Sequence, residues 1–164
     1  MSIDPAAPAP LTQDPAGSAA RTPATAAALP ERTIRVSAVV MRNAAGHVLN
    51  VRKRGTASLM LPGGKPEPGE DSRATAVREV AEELGLALDP ERLRELGVFR
   101  AAAANEPGCV VEAAVFEHPL VPGAEAAGPR AEIEHIEWVD PAVTRPDMAP
   151  LNTDVIFPAL LAES

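Results

Sequence analysis

Three closely spaced glutamates, Glu79, Glu82 and Glu83, are the residues of this sequence best suited to chemistry. Their segment, residues 71–84, has apolar residues at i, i+3 and i+4 and therefore predicts a helix. At about 100° per residue, the three carboxylates share one face of that helix. Two of them fall in the last turn before Gly85, where the negative end of the helix dipole makes each carboxylate unfavourable by roughly 0.3–1 kcal/mol. A pattern that is locally unfavourable points to a functional site.

Carboxylates grouped in this way suit a hard divalent cation. Mg²⁺ and Mn²⁺ prefer carboxylate and carbonyl oxygens, and a magnesium site often combines a few carboxylates with the phosphates of a substrate. The glycines of the preceding loop, Gly63 and Gly64, lack a Cβ and allow backbone carbonyls and amides to approach a ligand closely. Taken alone, the three glutamates fit an acidic, solvated helix face equally well.

The elements that hold this helix in place form a mixed α/β pattern. Segments rich in β-branched residues predict five strands, at residues 34–41, 48–53, 96–103, 109–116 and 133–139. The first two are joined by turn residues and predict a hairpin, and the next two predict a strand pair. Residues 61–69 contain three prolines and three glycines and predict a loop. A closing helix is expected over residues 152–162, kinked or shortened by Pro158.

The first 30 residues differ in composition from the rest of the chain. They hold six of the 18 prolines and only three charged residues, and they have few of the branched and aromatic side chains that offset the entropy of ordering. We therefore expect a disordered or polyproline-like arm over residues 1–30 and one folded domain over residues 31–164.

The overall charge and the cysteine count exclude several classes of protein. A formal net charge of −8 argues against binding of duplex nucleic acid, since no basic face remains to neutralise phosphates. No apolar run is long enough for a membrane span, and the N-terminus lacks the features of a signal peptide. Cys109 is the one cysteine, so no disulfide is expected within the chain and a cytoplasmic protein is predicted.

Loop and helix together carry a longer pattern of fixed residues. Its members are Gly64, Glu70, Arg78, Glu79, Glu82, Glu83 and Gly85, with apolar residues at Val80 and Leu86. Over 23 consecutive residues this pattern resembles the Nudix box at every specified position. The strands before it, and the strand pair and final helix after it, resemble the rest of a Nudix domain. The resemblance implies an α/β Nudix fold, with a mixed sheet sandwiched between helices (α/β/α).

Nudix hydrolases cleave a nucleoside diphosphate linked to another moiety, using a divalent metal and a water that attacks phosphorus. The resemblance implies four metal ligands, three carboxylates and one backbone carbonyl: Glu79, Glu82, Glu83 and Gly64. A metal held there would neutralise charge and activate the water. Arg78 is similar to the arginine that orients these carboxylates. Glu70 resembles an outer residue, either a partner of Arg78 or an anion at the N-terminus of the helix.

The general base is a separate question. In MutT-like members of the family, a glutamate before the late tryptophan-bearing strand joins the metal site. Glu132, six residues before Trp138, is in the matching position and is the expected base and further ligand. Glu134 and Glu79 are the alternatives for the base, and Glu132 and Glu134 also fit ordinary solvated charges.

The resemblance also indicates residues for substrate binding. Asn152 lies in a segment similar to the start of the last helix of MutT-type enzymes, where an asparagine recognises a purine edge. A simple helix N-cap is the alternative for Asn152. Phosphates are expected on the glycine loop and on nearby cations, namely Gly63, Gly64, Lys65, Arg52, Lys53 and Arg54. Base stacking would depend on Phe99, Phe116 or Trp138, which fit core positions better.

The expected function is a Mg²⁺-dependent pyrophosphohydrolase, with Mn²⁺ as the other metal, that cleaves a (d)NTP or an oxidised purine such as 8-oxo-dGTP to NMP and pyrophosphate. Other Nudix subfamilies carry a tyrosine for dinucleoside polyphosphates or a proline for ADP-ribose. The chain has no tyrosine and no proline in residues 100–104, which favours a mononucleotide. ADP-ribose or a nucleotide sugar is the alternative substrate, and a non-catalytic nucleotide sensor is the alternative from another class. A small nucleotide is the expected partner, and the chain is expected to be a monomer or a homodimer.

Overall fold

The computed structural model of the protein describes residues 31–164, and the predicted arm at residues 1–30 lies outside them. The strands are β1 (Arg32–Val40), β2 (Val48–Lys53), β3 (Gly63–Gly64), β4 (Arg94–Ala102), β5 (Cys109–Glu117) and β6 (Ile133–Val139). The helices are α1 (Ser72–Leu84) and α2 (Phe157–Ala162), and α2 follows directly on a π-helical turn (Leu151–Ile156). Two 3₁₀ turns lie in the connections, at Pro90–Arg92 and Ala124–Ala126.

Four strands form one mixed sheet in the order β3-β1-β5-β4. β1 runs parallel to β5 along its whole length, from Arg32 opposite Cys109 to Val40 opposite Glu117. β3 and β4 are antiparallel to their neighbours. β2 pairs with β6 in a separate antiparallel ribbon. β1 is thus a central strand, and its edge towards β3 faces the glycine loop.

Alternate residues of the central strands pack on opposite faces of the sheet. In β1, Val39 belongs to the hydrophobic cluster that contains α1, while Ala38 and Val40 belong to the cluster that contains α2. The first cluster takes its helical residues from α1, namely Ala76, Val80 and Leu84. The second takes its helical residues from the end of the chain, namely Ile156, Phe157 and Leu160. The predicted α/β fold, with a mixed sheet between helices, is therefore confirmed.

Two features of the sheet differ from the prediction. β1 and β2 do not form a hairpin, because a single bridge joins Arg42 to Val48 and β2 then pairs with β6. Residues 61–69 are not wholly irregular, because Gly63 and Gly64 pair with β1 as a two-residue edge strand. A Cβ at residue 63 would lie 2.0 Å from the carbonyl oxygen of Ser37, so this approach to β1 requires glycine.

The helices begin and end close to the predicted residues. Asp71 caps α1 by accepting a hydrogen bond from the N–H of Ala74, and Gly85 ends the helix in the left-handed conformation. The closing helix is interrupted near Pro158, where a six-residue π-helical turn precedes the six residues of α2. A proline has no N–H to donate and its ring crowds the carbonyl four residues earlier, and a wider turn accommodates both effects.

Candidate metal centre and adjoining cavity

The three glutamates of α1 do not share one environment. Glu83 is fully buried and Glu79 nearly so, whereas Glu82 is exposed. Residues four apart on a helix are turned by only about 40°, so Glu79 and Glu83 face β3 together, while Glu82 is turned about 100° from Glu83. Glu82 is turned about 60° from Glu79 in the other direction, and Arg78 Nη1 donates to both carboxylates. The three glutamates therefore lie on one face, with Glu82 at its exposed edge.

The two glycines of β3 allow the buried carboxylates to reach the sheet. The backbone N–H of Gly63 donates to Glu83 Oε2 at 3.1 Å. A Cβ on Gly64 would lie 2.4 Å from Glu79 Oε1, so any side chain there would displace that carboxylate. The glycine pair and the helix face are therefore complementary in shape as well as in charge.

A third carboxylate reaches the same place from the segment before β6. The N–H of Arg130 donates to the carbonyl of Glu83 at 3.0 Å, and the N–H of Arg54 donates to the carbonyl of Glu132 at 2.7 Å. These two backbone bonds fix the segment between the end of α1 and the end of β2. As a result, carboxylate oxygens of Glu79, Glu83 and Glu132 lie within 4.8 Å of one another.

The carboxylate of Glu83 lies in an unfavourable environment for a charge. Burial raises its pKa to about 8, and the neighbouring Glu79 and Glu132 act in the same direction. The Lys53 ammonium, 3.9 Å from Glu83 Oε1, and the N–H of Gly63 oppose that rise. Glu83 Oε1 is buried without a hydrogen-bond partner among the residues that the structure describes, a state that is unfavourable by about 1–3 kcal/mol. A cation beside Oε1 would relieve it.

This set of donors fits a hard divalent cation. All three side chains offer oxygen, the ligand that Mg²⁺ and Mn²⁺ prefer, and a metal that selects thiolate or imidazole would find neither here. Among residues 31–164, Glu79, Glu83 and Glu132 are the one group of three acidic, histidine or cysteine side chains close enough to share an ion.

Arg78 links this cluster to the glycine loop. Its Nε and Nη2 donate to the two carboxylate oxygens of Glu70 at 2.8 and 2.9 Å. Nη1 donates to Glu79 at 3.0 Å and to Glu82 at 3.3 Å, and Nη2 also donates to the carbonyl of Lys65 at 3.0 Å. The hydrogen bonds from Arg78 lower the pKa of Glu70 to about 2. Glu70 therefore stays ionised and holds the guanidinium in the position that orients Glu79.

A cavity of about 530 Å³ opens beside Glu79. The glycines of β3 and two lysines, Lys53 and Lys65, form its polar end. Its other walls are mainly apolar and come from β1, from the turn between β4 and β5, and from segments that contain Leu61 and Leu151. The polar residues Ser37, Thr56, Asn105 and Glu106 interrupt these walls. This combination suits a ligand that has phosphates at one end and an organic group at the other.

Of the three cations at the end of β2, Lys53 is the one that lines this cavity. Arg52 lies on the opposite face of the strand, where its Nε is 2.9 Å from Glu134 Oε1. Arg54 is exposed and does not line the cavity. Of the cations predicted to bind phosphate, Lys53 and Lys65 therefore line the cavity, whereas Arg52 and Arg54 do not. Strand alternation did not indicate this difference, because Val48 to Val51 are all buried and the pairing of β2 with β6 shifts register between Arg52 and Lys53.

No aromatic side chain lines the cavity within the described part of the chain. Phe116 and Phe157 are buried in the two cores, Trp138 packs against the first core, and Phe99 packs against the second. Residues 1–30 contain no aromatic residue in their sequence. The organic part of a ligand in this cavity would therefore lie against aliphatic walls.

Asn152 neither caps a helix nor lines the cavity, although Leu151 beside it does. Its Nδ2 donates to Asn50 Oδ1 at 2.7 Å, and the Nδ2 of Asn50 donates to the carbonyl of Val48 at 3.0 Å. Both amides are fully buried, and Asn152 Oδ1 has no hydrogen-bond partner within residues 31–164. The N-cap interpretation is therefore wrong, because the side chain joins the π-helical turn to β2 instead.

The segment before Glu132 holds two features that the sequence does not indicate. Ala131 has a φ of 50°, which is uncommon for a residue with a Cβ. The guanidinium of Arg130 lies directly on Gly85. Both features depend on contacts between segments far apart in the chain, and no local pattern marks such contacts.

Known proteins share both the sequence pattern and the fold of this chain. The family model described as the NUDIX domain matches residues 31–160. The chain is 34% identical to a protein named isopentenyl-diphosphate Delta-isomerase from Nocardia farcinica (strain IFM 10152), over 130 residues that cover 73% of this chain and 71% of the relative. It is 28% identical over 103 residues to a putative 8-oxo-dGTP diphosphatase from Bacillus subtilis (strain 168), a match that covers 63% of this chain and 64% of that protein.

A solved structure also has a fold similar to that of this chain. The MutT protein from Methanosarcina mazei Go1 superposes with a TM-score of 0.67 at 22% identity, over 82% of this chain and 97% of that one. In the part of the chain that the structure describes, no helix is both long enough and apolar enough to cross a membrane. The match to the domain model over most of the chain shows that the protein is a member of the Nudix hydrolase family.

Proposed function

We propose that this Nudix hydrolase is a Mg²⁺-dependent pyrophosphohydrolase that cleaves a nucleoside triphosphate to the monophosphate and pyrophosphate, with residues 31–164 as its catalytic domain. One observation carries the proposal. Carboxylates of Glu79, Glu83 and Glu132 converge within 4.8 Å of one another, beside a cavity that Glu79 lines together with two lysines. Carboxylates and ammonium groups side by side suit a polyphosphate that binds through a bridging divalent cation and through direct ion pairs.

Four groups would hold the metal, three carboxylates and one backbone carbonyl: Glu79, Glu83, Glu132 and Gly64. A divalent cation bound there, Mg²⁺ or Mn²⁺, supplies Lewis-acid neutralisation of phosphate charge and lowers the pKa of water. Glu82, which is half exposed, is an outer carboxylate of the site. Arg78 keeps Glu79 turned towards β3, and Glu70 keeps Arg78 in place.

Glu132 is the general base of this proposal. Its carboxylate is about half exposed, and its ion-pair partner among the described residues is Lys53, whose Nζ lies 3.5 Å from Glu132 Oε1. The two alternatives are already engaged, since Glu134 pairs with Arg52 and Glu79 accepts a hydrogen bond from Arg78 at 3.0 Å. Glu132, whose carboxylate accepts no hydrogen bond from an arginine among the described residues, takes the proton of the attacking water as the bond between the α- and β-phosphates breaks.

The diphosphate of an aliphatic alcohol is the second candidate substrate. The aliphatic walls of the cavity favour it, because a purine held there has no aromatic side chain to stack on. The 34% identical relative is named for isopentenyl diphosphate and the 28% identical relative for 8-oxo-dGTP. Hydrolysis of an alcohol diphosphate would release inorganic phosphate and leave the alcohol monophosphate.

A product assay on the full-length protein separates these functions. The protein is incubated with Mg²⁺ or Mn²⁺ and with dATP, dGTP, 8-oxo-dGTP, ADP-ribose, a nucleotide sugar or isopentenyl diphosphate, and ³¹P NMR identifies the products. Monophosphate and pyrophosphate from a triphosphate support the first candidate. Phosphate released from isopentenyl diphosphate alone supports the second. No product from any of these compounds overturns both and leaves a binding role.

A pair of variants tests the assignment of the base. Glu132→Gln is expected to lower kcat by at least about 100-fold, since general-base catalysis contributes on that scale. Glu134→Gln is the matched control, because Glu134 lies two residues away and contacts Arg52 on another face. Equal losses in the two variants would contradict the role of Glu132.

A further inference from the structure

Lys53 lies beside the acidic cluster that Glu79, Glu83 and Glu132 form. It is close to the two carboxylates of this cluster with which Arg78 makes no ion pair among the described residues. Its Nζ lies 3.9 Å from Glu83 Oε1 and 3.5 Å from Glu132 Oε1. Within residues 31–164, these are the ion pairs that Glu83 and Glu132 make, whereas Glu79 receives the guanidinium of Arg78. The two cations therefore divide the three carboxylates between them.

We propose that Lys53 takes the place of the divalent cation in the metal-free site and moves to the phosphates of the substrate when the metal binds. The second half of this proposal rests on the proposed function, because it requires a polyphosphate in the cavity. The first half concerns the protein and the metal alone and can be tested without a substrate.

Burial explains why the cluster needs a cation when no metal is bound. Three carboxylates with oxygens within 4.8 Å repel one another, and Glu83 is withdrawn from solvent. Charges of one sign in such a place are strongly unfavourable unless an opposite charge lies close by. Glu83 Oε1, the atom nearest to Lys53 on that residue, has no hydrogen-bond partner in the described part of the chain. The ammonium therefore stands next to the atom that most needs a cation.

The same contacts show why Lys53 is able to leave. At 3.5 and 3.9 Å, neither contact to a carboxylate is a hydrogen bond, so charge attracts the ammonium without fixing its geometry. The side chain is 32% exposed, and its flexible four-carbon stem lets the head group turn into the cavity that it already lines. Arg78 differs in this respect, because its short hydrogen bonds to Glu70 hold it in place.

Coupling between metal and substrate follows from this arrangement. A metal that binds alone competes with the ammonium for Glu83 and Glu132. A phosphate group that attracts Lys53 removes the competitor, so the polyphosphate strengthens metal binding and the metal strengthens polyphosphate binding by the same factor.

The test measures Mn²⁺ binding to the full-length protein without substrate, from the EPR signal of free Mn²⁺, and thermal unfolding in EDTA. Lys53→Met removes the charge and keeps most of the stem, and Lys53→Arg keeps the charge. Lys65→Met is the matched control, because Lys65 also lines the cavity but its Nζ is 4.0 Å from Glu106 rather than beside the cluster.

Lys53→Met is expected to bind Mn²⁺ at least about fivefold more tightly than the wild type, since a unit charge about 4 Å away no longer opposes the metal. Its metal-free form is expected to unfold at a lower temperature, while circular dichroism shows the wild-type fold. Lys53→Arg and Lys65→Met are expected to stay within about twofold of wild-type Mn²⁺ affinity. Unchanged or weaker Mn²⁺ binding by Lys53→Met would overturn the proposal that Lys53 takes the place of the divalent cation in the metal-free site.

Kinetics test the second half of the proposal. Lys53→Met is expected to raise KM for the triphosphate by about tenfold, because a lost ion pair to phosphate weakens binding. An unchanged KM would overturn the move of Lys53 to phosphate. If no compound in the product assay is hydrolysed, the proposed function fails. The Mn²⁺ measurement still decides by itself whether Lys53 takes the place of the divalent cation.

Discussion

The guanidinium of Arg130 lies against Gly85, the residue that ends α1. A Cβ at residue 85 would stand 2.4 Å from Arg130 Cζ, and the backbone of Gly85 has a left-handed φ of 68°. The N–H of Arg130 also donates to the carbonyl of Glu83 at 3.0 Å. This places a cation and a donor at the negative end of the helix dipole. Since Glu132 follows two residues later, the contact between Gly85 and Arg130 also ties that carboxylate to the helix that carries Glu83.

Loss of this contact should reduce catalysis more than stability. Arg130→Ala is expected to lower kcat by about tenfold, because the two backbone hydrogen bonds alone would hold Glu132 less rigidly relative to the other carboxylates. Steady-state kinetics and thermal unfolding in EDTA give the two readouts. Arg35→Ala is the control, since Arg35 is exposed and its ion-pair partner among the described residues is Glu112. Wild-type kcat in Arg130→Ala would show that Glu132 is positioned without it.

A side chain at residue 64 should disable the metal site. The Cβ of Gly64→Ala would lie 2.4 Å from Glu79 Oε1, so that carboxylate has to move away from β3. We expect Mn²⁺ affinity and kcat each to fall by at least about tenfold, in line with the effect of disturbing residues that orient metal ligands. Gly128→Ala is the matched control, because a Cβ there meets no atom within 4 Å. Full Mn²⁺ binding by Gly64→Ala would contradict the close approach.

Replacement of Glu83 should change the pH dependence of stability. Burial raises its pKa from 4.5 to about 8, so the folded protein holds this proton more tightly than the unfolded chain does. The contribution of this group to the free energy of unfolding is therefore fully present below about pH 4.5 and is lost as pH rises through 8. Glu83→Gln has no group that ionises at this position, so its free energy of unfolding does not fall in this way. In the wild type the fall is at most about 5 kcal/mol, and it is smaller where water enters the site.

The measurement is unfolding of the metal-free protein in EDTA at pH 6 and pH 9. Glu83→Gln should be more stable than the wild type at both pH values, and the difference should be larger at pH 9 than at pH 6, while metal-dependent kcat falls by at least about 100-fold. A variant that is much less stable than the wild type at both pH values would show that Glu83 has a structural role.

Glu70 should behave in the opposite way at acid pH. Hydrogen bonds from Arg78 lower its pKa from 4.5 to about 2, so the folded state favours the carboxylate. The stability that this provides is present above about pH 4.5 and is lost as pH falls towards 2. Glu70→Gln should therefore unfold at a lower temperature than the wild type at pH 6 and at an equal temperature near pH 2. Its kcat should fall by about tenfold, because Arg78 loses its anchor.

Glu67→Gln is the control for this variant. Glu67 is mostly exposed, and its Oε2 is 3.9 Å from Arg78 Nε, too far for a hydrogen bond. It is expected to keep wild-type stability and kcat. If Glu67→Gln and Glu70→Gln have equal effects, general charge near Arg78, and not the paired hydrogen bonds, holds the guanidinium.

The sequence by itself determined the features that depend on neighbours within one or two helical turns. The spacing of apolar residues predicted α1, Asp71 and Gly85 predicted its two ends, and the grouped glutamates predicted an oxygen-rich metal site. Local backbone geometry fixes these relationships, because residues three or four apart on a helix are neighbours in any fold.

Tertiary structure decided which residues from distant segments join the site. Lys53, rather than Arg52, faces the cavity because β2 leaves β1 and pairs with β6, which sets the face of the strand that meets α1. Asn152 pairs with Asn50, 102 residues earlier, although its local sequence fits a helix cap. Packing and strand register between separate segments set these contacts, and a pattern read along one segment does not contain the position of its partner.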